Sequence, residues 1–227
     1  MRRILSVGVV CLLAAACGGS GSPTAPTSPV ATSPQLPKLE GLMAEVAAGG
    51  SVVFFRHAAR DAAAISTADL ARADNDHLCV PGSALTPAGM ADAVAIGRVF
   101  SAYRMAVDHV FVSPTCRTEQ MAALAFPDHP VEERRELSWP DMWRPGEADT
   151  LPPLLCALLG EPPPRGSTTV MISHSNVLRP ETTGVSVSLN QADGAVFHPL
   201  GMGHFELRGV IARDEWVRVS QALLAGR

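Results

Sequence analysis

Three short stretches of this 227-residue chain place histidine or arginine where an anion could be held and attacked. The first is Arg56-His57-Ala58-Ala59-Arg60, which follows directly on Val52-Val53-Phe54-Phe55. Two guanidiniums offer the planar, forked donors that match a phosphate. The imidazole between them, when neutral, can act as a nucleophile towards phosphorus. The second stretch is Ser113-Pro114-Thr115-Cys116-Arg117-Thr118, after the apolar run His109–Val112. The third is Ser173-His174-Ser175-Asn176, after Thr168–Ile172. Each alone has a plain reading: surface arginines at a strand end, an arginine on a solvated helix face, a structural histidine. Their shared position, just past an apolar strand, makes a common site the stronger reading.

The elements needed to bring them together follow from the pattern. Apolar runs too short for helices, bounded by Gly49-Gly50 and by polar residues, predict buried strands. Ligands of open α/β sheets bind outside the carboxyl ends of such strands. Leu39, Leu42, Met43, Val46 and Ala47 recur at helical spacing and predict a helix closed by Gly49-Gly50. Thr86-Pro87 supplies an N-cap and a first-turn proline for a helix to about Tyr103, with Ala93, Val94, Gly97 and Phe100 inward. A helix from Cys116 to about Ala125 would aim free N–H groups and its positive dipole end at an anion near Arg117. Asp149 or Thr150 can cap a helix through Leu158 that Gly160 closes. Past Arg179, Gly194–Pro199 and His204–Ile211 read as an antiparallel pair, with His198 and His204 at the surface. Asp214 can begin a terminal helix with Trp216, Val217 and Leu223 inward. Asp61–Pro81 is polar and reads as an excursion over the pocket mouth; Pro127–Pro145 reads as irregular.

Arg56-His57-x-x-Arg60, Leu85-Thr86-x-x-Gly89, Ser113-Pro-x-x-Arg117-Thr118 and the late strand-end His174 occur in an order that resembles the histidine phosphatase superfamily, with both its phosphoglycerate mutase-like and acid phosphatase-like members. The resemblance spans roughly Val52 to Trp216. It implies a three-layer α/β/α sandwich with a mostly parallel sheet and an antiparallel edge hairpin. It also implies phosphomonoester hydrolysis through a phosphohistidine on His57, with Arg56, Arg60, Arg117 and His174 around the phosphoryl oxygens and no metal or other cofactor. Arg135-Glu136-Leu137-Ser138-Trp139 resembles the segment in which many members carry their acid, so Glu136 is the expected proton donor. Glu132 and Glu133 stand close by, and a solvated charged face is the plain alternative for all three. Ala58 stands where the usual Arg-His-Gly has glycine, a change that strains the backbone if that position needs a positive φ. Arg60 follows the acid phosphatase-like form and favours hydrolysis over mutase chemistry.

The net charge of −4 offers no basic field for nucleic acid. Met1-Arg2-Arg3 and the apolar run Ile4–Ala16 read as an export signal too short for an ordinary membrane span. Leu13-Ala14-Ala15-Ala16-Cys17 resembles a bacterial lipobox, which implies lipid attachment at Cys17 and a membrane partner, on the periplasmic or outer cell-surface side of the envelope. The expected layout is therefore a signal peptide over 1–17, a Pro/Ser/Thr/Gly-rich tether over 18–38 and a phosphatase-like domain over 39–227. An oxidising compartment permits disulfides. Cys79 and Cys116 both fall in segments that the resemblance puts near the pocket, and are the expected pair. His77 with Cys79 lacks a metal-ligand spacing. The expected partner is a small phosphorylated substrate. A pocket that binds phosphate without turnover, as in an envelope interaction protein, and a phosphoprotein phosphatase are the alternatives.

Overall fold

The computed structural model describes residues 39–226, and the expected signal, lipid site and tether lie outside them. Six strands form one sheet in the order β3-β2-β4-β1-β5-β6. They are β1 (Val52–Arg56), β2 (Val107–Val112), β3 (Val131–Glu133), β4 (Thr168–Ser173), β5 (Gly194–Gly201) and β6 (His204–Ile211). β1, β2, β3 and β4 run parallel, while β5 pairs antiparallel with β1 and with β6. The mostly parallel sheet with an edge hairpin is thus as expected.

Alternation along the strands divides the core in two. Val53, Phe55, Val170 and Ile172 face one layer, packed by α1 (Leu39–Ala48), α3 (Pro87–Ala102), α4 (Cys116–Ala125) and α7 (Arg213–Ala225). Val52, Phe54 and Met171 face the other, packed by Leu70 of α2 (Thr67–Asn75), Leu155 and Leu159 of α5 (Glu147–Gly160), and Leu137, Trp139 and Met142. Both faces of β1 and β4 are sealed, which is why those strands read as continuous apolar runs.

α3 starts as the sequence predicts: Thr86 Oγ1 accepts the Gly89 N–H at 3.1 Å, with Pro87 in the first turn. Gly89 is required by contact, since a Cβ there would lie 2.7 Å from the backbone nitrogen of Ala59. The glycine lets the helix pack against the chain that follows His57. Val94, expected inward, is instead 38% exposed, and Ile96 and Val99 fill the interface. α5 begins two residues before Asp149, with Gly146 at its N-cap in the left-handed region. The polar excursion contains α2, capped by Ser66, which accepts from the Asp69 N–H. Only two apolar residues of that helix are buried, Leu70 and Ala73, so its periodicity is faint. The irregular stretch 127–145 holds short β3 and two one-turn 3-10 helices, Arg135–Leu137 and Pro140–Met142. His198 and His204 are exposed, as expected. No helix among the described residues is long and apolar enough to cross a membrane.

Candidate active site

The carboxyl ends of β1, β4 and β2 lie side by side, and their ladder continues one residue into each loop. His57 donates its N–H to the Ser173 carbonyl at 2.9 Å, and Ser113 donates to the Ile172 carbonyl at 3.0 Å. The loops that carry the chemistry are therefore extensions of the sheet, not free segments. Thr118 Oγ1 donates to the Ser113 or Thr115 carbonyl, at 2.6 and 2.8 Å, and so ties off the turn that points Arg117 inward. Ser173 Oγ donates to the Leu137 carbonyl at 2.6 Å, which fastens the 135–143 segment to the end of β4.

These supports bring His57 and His174 together, with ring centroids 5.4 Å apart. Both imidazoles are buried, as is Arg117. With the half-buried Arg56 and Arg60 they line one cavity of about 340 Å³. A larger cavity of about 470 Å³ beside α3 and α4 shares no lining residue with it and gathers no comparable set of charges.

The hydrogen bonds assign the two imidazoles opposite tautomers. His57 Nδ1 lies 2.8 Å from the Ala58 carbonyl, which can only accept. The proton is therefore on Nδ1 and the Nε2 lone pair is free. His174 Nδ1 lies 3.2 Å from Arg117 Nη2, which can only donate, so Nδ1 accepts. Its proton is on Nε2, which donates to Ser113 Oγ at 2.9 Å. Burial, followed by the Arg117 charge, holds the pKa of His57 well below the usual histidine value, although the Ala58 carbonyl pulls the other way. Burial, then Arg117, then His57 do the same to His174. Both rings are neutral at physiological pH.

Ala58 is buried in the core and is not among the residues of positive φ, so alanine here carries no backbone strain. Arg56 donates to the Leu189 carbonyl at 2.8 Å, and Arg60 to the Gly82 carbonyl at 2.9 Å. Cys79 and Cys116 are joined by a disulfide, the expected pair. Cys79 is thereby unavailable to a metal beside His77.

Glu136 is not brought to the cavity. It sits on the Arg135–Leu137 turn, half-buried, while its neighbour Leu137 takes the inward place. Glu132 pairs with Arg134 and His109, and Glu133 lines a different cavity. The carboxylate that does line the histidine cavity is Asp141, five residues further on. A second carboxylate was missed altogether. Asp74 of α2 is buried, and its two oxygens accept from Arg117 Nη1 at 2.7 Å and Nη2 at 2.9 Å. Trp139 Nε1 adds a third donor at 2.9 Å. A single acidic residue in a polar stretch carries no mark of such a partner.

The fold is similar to that of the solved structure of the protein histidine phosphatase SixA complexed with tungstate, with a TM-score of 0.50 at 16% identity over 72% of this chain and 97% of that one. This is the histidine phosphatase fold. Phosphoserine phosphatase of Entamoeba histolytica, in complex with 3-phosphoglyceric acid, is similar at a TM-score of 0.48 and 13% identity, over 71% of this chain and 96% of that one. Phosphoglycerate mutase of Plasmodium falciparum follows at 0.43 and 14%, over 70% and 88%. No family model and no curated protein matches the sequence, so the likeness to histidine phosphatases is one of structure.

Proposed function

We propose that the chain is a phosphomonoesterase that works through a phosphohistidine on His57. The observation that carries this reading is the convergence of His57, His174, Arg56, Arg60 and Arg117 on one cavity, with the His57 Nε2 lone pair unengaged. Two buried guanidinium nitrogens, Nε of Arg56 and Nε of Arg117, have no acceptor within the protein, and phosphoryl oxygens would satisfy both. Three guanidiniums outnumber the Asp74 and Asp141 carboxyl groups and leave the cavity net positive, which suits a phosphomonoester anion.

In the proposed reaction, Nε2 of neutral His57 attacks phosphorus in line with the ester oxygen. The P–O bond breaks as the N–P bond forms, and the carboxyl of Asp141 protonates the departing alcohol. Asp141, now a carboxylate, takes a proton from water, which attacks phosphorus and releases phosphate from His57. Asp141 takes the role that sequence reasoning gave to Glu136, because it lines the cavity. Arg56, Arg60 and Arg117 offset the charge that spreads over the equatorial oxygens, so that positioning and electrostatics carry the catalysis. Export and lipid attachment at Cys17 belong to the same proposal; the Cys79–Cys116 disulfide, at home in an oxidising compartment, supports it.

Hydrolysis of an aryl phosphate tests the reading. The His57→Ala variant should lose at least about a hundredfold in rate, the order expected when a nucleophile is removed. Brief incubation with labelled substrate should leave an acid-labile, base-stable phosphoenzyme in the wild type and none in the variant. Equal rates in the two proteins would retire the enzymatic reading in favour of a pocket that only binds phosphate.

A further inference from the structure

The Asp74–Arg117 pair is unlike an ordinary salt bridge, because both partners are buried and each has a second commitment. Asp74 Oδ2 also accepts from Trp139, and Arg117 Nη2 also donates to His174 Nδ1. A continuous chain of hydrogen bonds therefore runs Trp139, Asp74, Arg117, His174, Ser113, every link between 2.7 and 3.2 Å. It crosses from the 139–142 turn through α2 and the first turn of α4 to the ends of β4 and β2. Asp74 is the only anion in it. Its two oxygens accept from three donors, two at Oδ2 and one at Oδ1, and its side chain is buried away from solvent.

We propose that Asp74 is a positioning residue of the phosphatase site: it fixes the guanidinium plane of Arg117 and, through Arg117 Nη2, the Nε2–H tautomer of His174. The proposal rests on the phosphatase reading for its catalytic consequence. A guanidinium on four rotatable bonds samples many orientations, and a bidentate carboxylate selects one. That orientation leaves the buried Nε of Arg117 without an internal partner. It also spends one of the three positive charges, so the site holds a dianion without retaining the product phosphate too tightly.

The test is the near-isosteric Asp74→Asn, read in two ways. First, ¹⁵N spectra of the histidine rings report tautomers whether or not the protein turns anything over. The wild type should show His57 protonated on Nδ1 and His174 on Nε2. Asp74→Asn should turn His174 into a mixture of tautomers and leave His57 as it was. Second, kcat for an aryl phosphate should fall by about tenfold or more, the scale of loss from a misplaced group. Inorganic phosphate should inhibit at least as tightly as before, because the cavity gains a net positive charge. A merely structural residue would weaken turnover and phosphate binding together and leave the tautomer alone. An unchanged His174 spectrum in folded Asp74→Asn, or a wild-type kcat, overturns the proposal. Should Asp74→Asn fail to fold, Trp139→Phe keeps the ring and removes one donor to Asp74. It should shift the His174 spectrum in the same direction by less, and no shift there overturns the proposal equally. If His57→Ala and wild type hydrolyse at one rate, the phosphatase reading fails while the spectra still decide the role of Asp74.

Discussion

The two buried imidazoles make stability depend on pH in a direction that can be worked out. In the unfolded chain a histidine takes up a proton as the pH falls through about 6.5. In the folded protein burial and Arg117 hold both His57 and His174 neutral to well below that value. Between those limits the unfolded state binds more protons, so stability is full above about pH 6.5 and declines as the pH drops. Each ring contributes a slope of up to about 1.4 kcal/mol per pH unit. Urea unfolding of wild type and His57→Ala from about pH 7.5 down to 5 should show the variant less sensitive to acid by up to that amount. The comparison of slopes removes the constant cost of the lost side chain. Parallel slopes would mean that His57 takes up its proton over the same pH range in the folded and unfolded states, so that burial and Arg117 do not hold the ring neutral.

At the scale of elements, β1 and β4 were legible because burial on both faces leaves a continuous apolar signal, whereas the short, exposed β3 left none. Thr168–Ser173 is buried at every position, and its loop could only emerge at one edge. α2 was not legible as a helix, because what fastens it is a carboxylate whose partner lies 43 residues away and a disulfide that closes a separation of 37. Neither leaves a periodic trace. Likewise, nothing in Arg135–Trp139 shows that Leu137 turns inward and Glu136 does not; the turn that follows, Pro140–Met142, brings Asp141 to the cavity instead. The fastening of α2 makes a prediction of its own. The chain-entropy account gives the Cys79–Cys116 bridge about 4 kcal/mol of stability for a loop of that length. Cys79 follows Asp74 by five residues and Cys116 precedes Arg117, so the bridge also confines the buried ion pair. The double variant Cys79→Ser, Cys116→Ser should be less stable by about 2 to 4 kcal/mol in denaturant titration. It should also hydrolyse aryl phosphate more slowly than the oxidised wild type, and be indifferent to a dithiol that slows the wild type. A reduced wild type, its thiols counted, that works at the oxidised rate would show that α2 keeps Asp74 in place unaided.

Over the whole molecule, every group proposed to take part in the reaction lies in sequence between Arg56 and His174, at or beyond the carboxyl ends of strands in one sheet that α1 and α7 help to bury on one face. None of them belongs to the segment proposed for export and anchoring. Location and turnover should therefore separate cleanly. Expressed in a bacterium that attaches lipid to exported cysteines, the wild type should sediment with membranes, and Cys17→Ser should move to the soluble fraction. The kcat/KM of the released protein for a soluble aryl phosphate should match that of detergent-extracted wild type within about twofold, since Cys17 is none of the groups proposed to contact the transition state. Wild type that is soluble without detergent would remove the lipid anchor and leave the site chemistry untouched. Membrane association that survives Cys17→Ser would point to an uncleaved apolar segment as the attachment. A large fall in kcat/KM on release would contradict the separation itself, because residues before Leu39 would then have to reach the cavity.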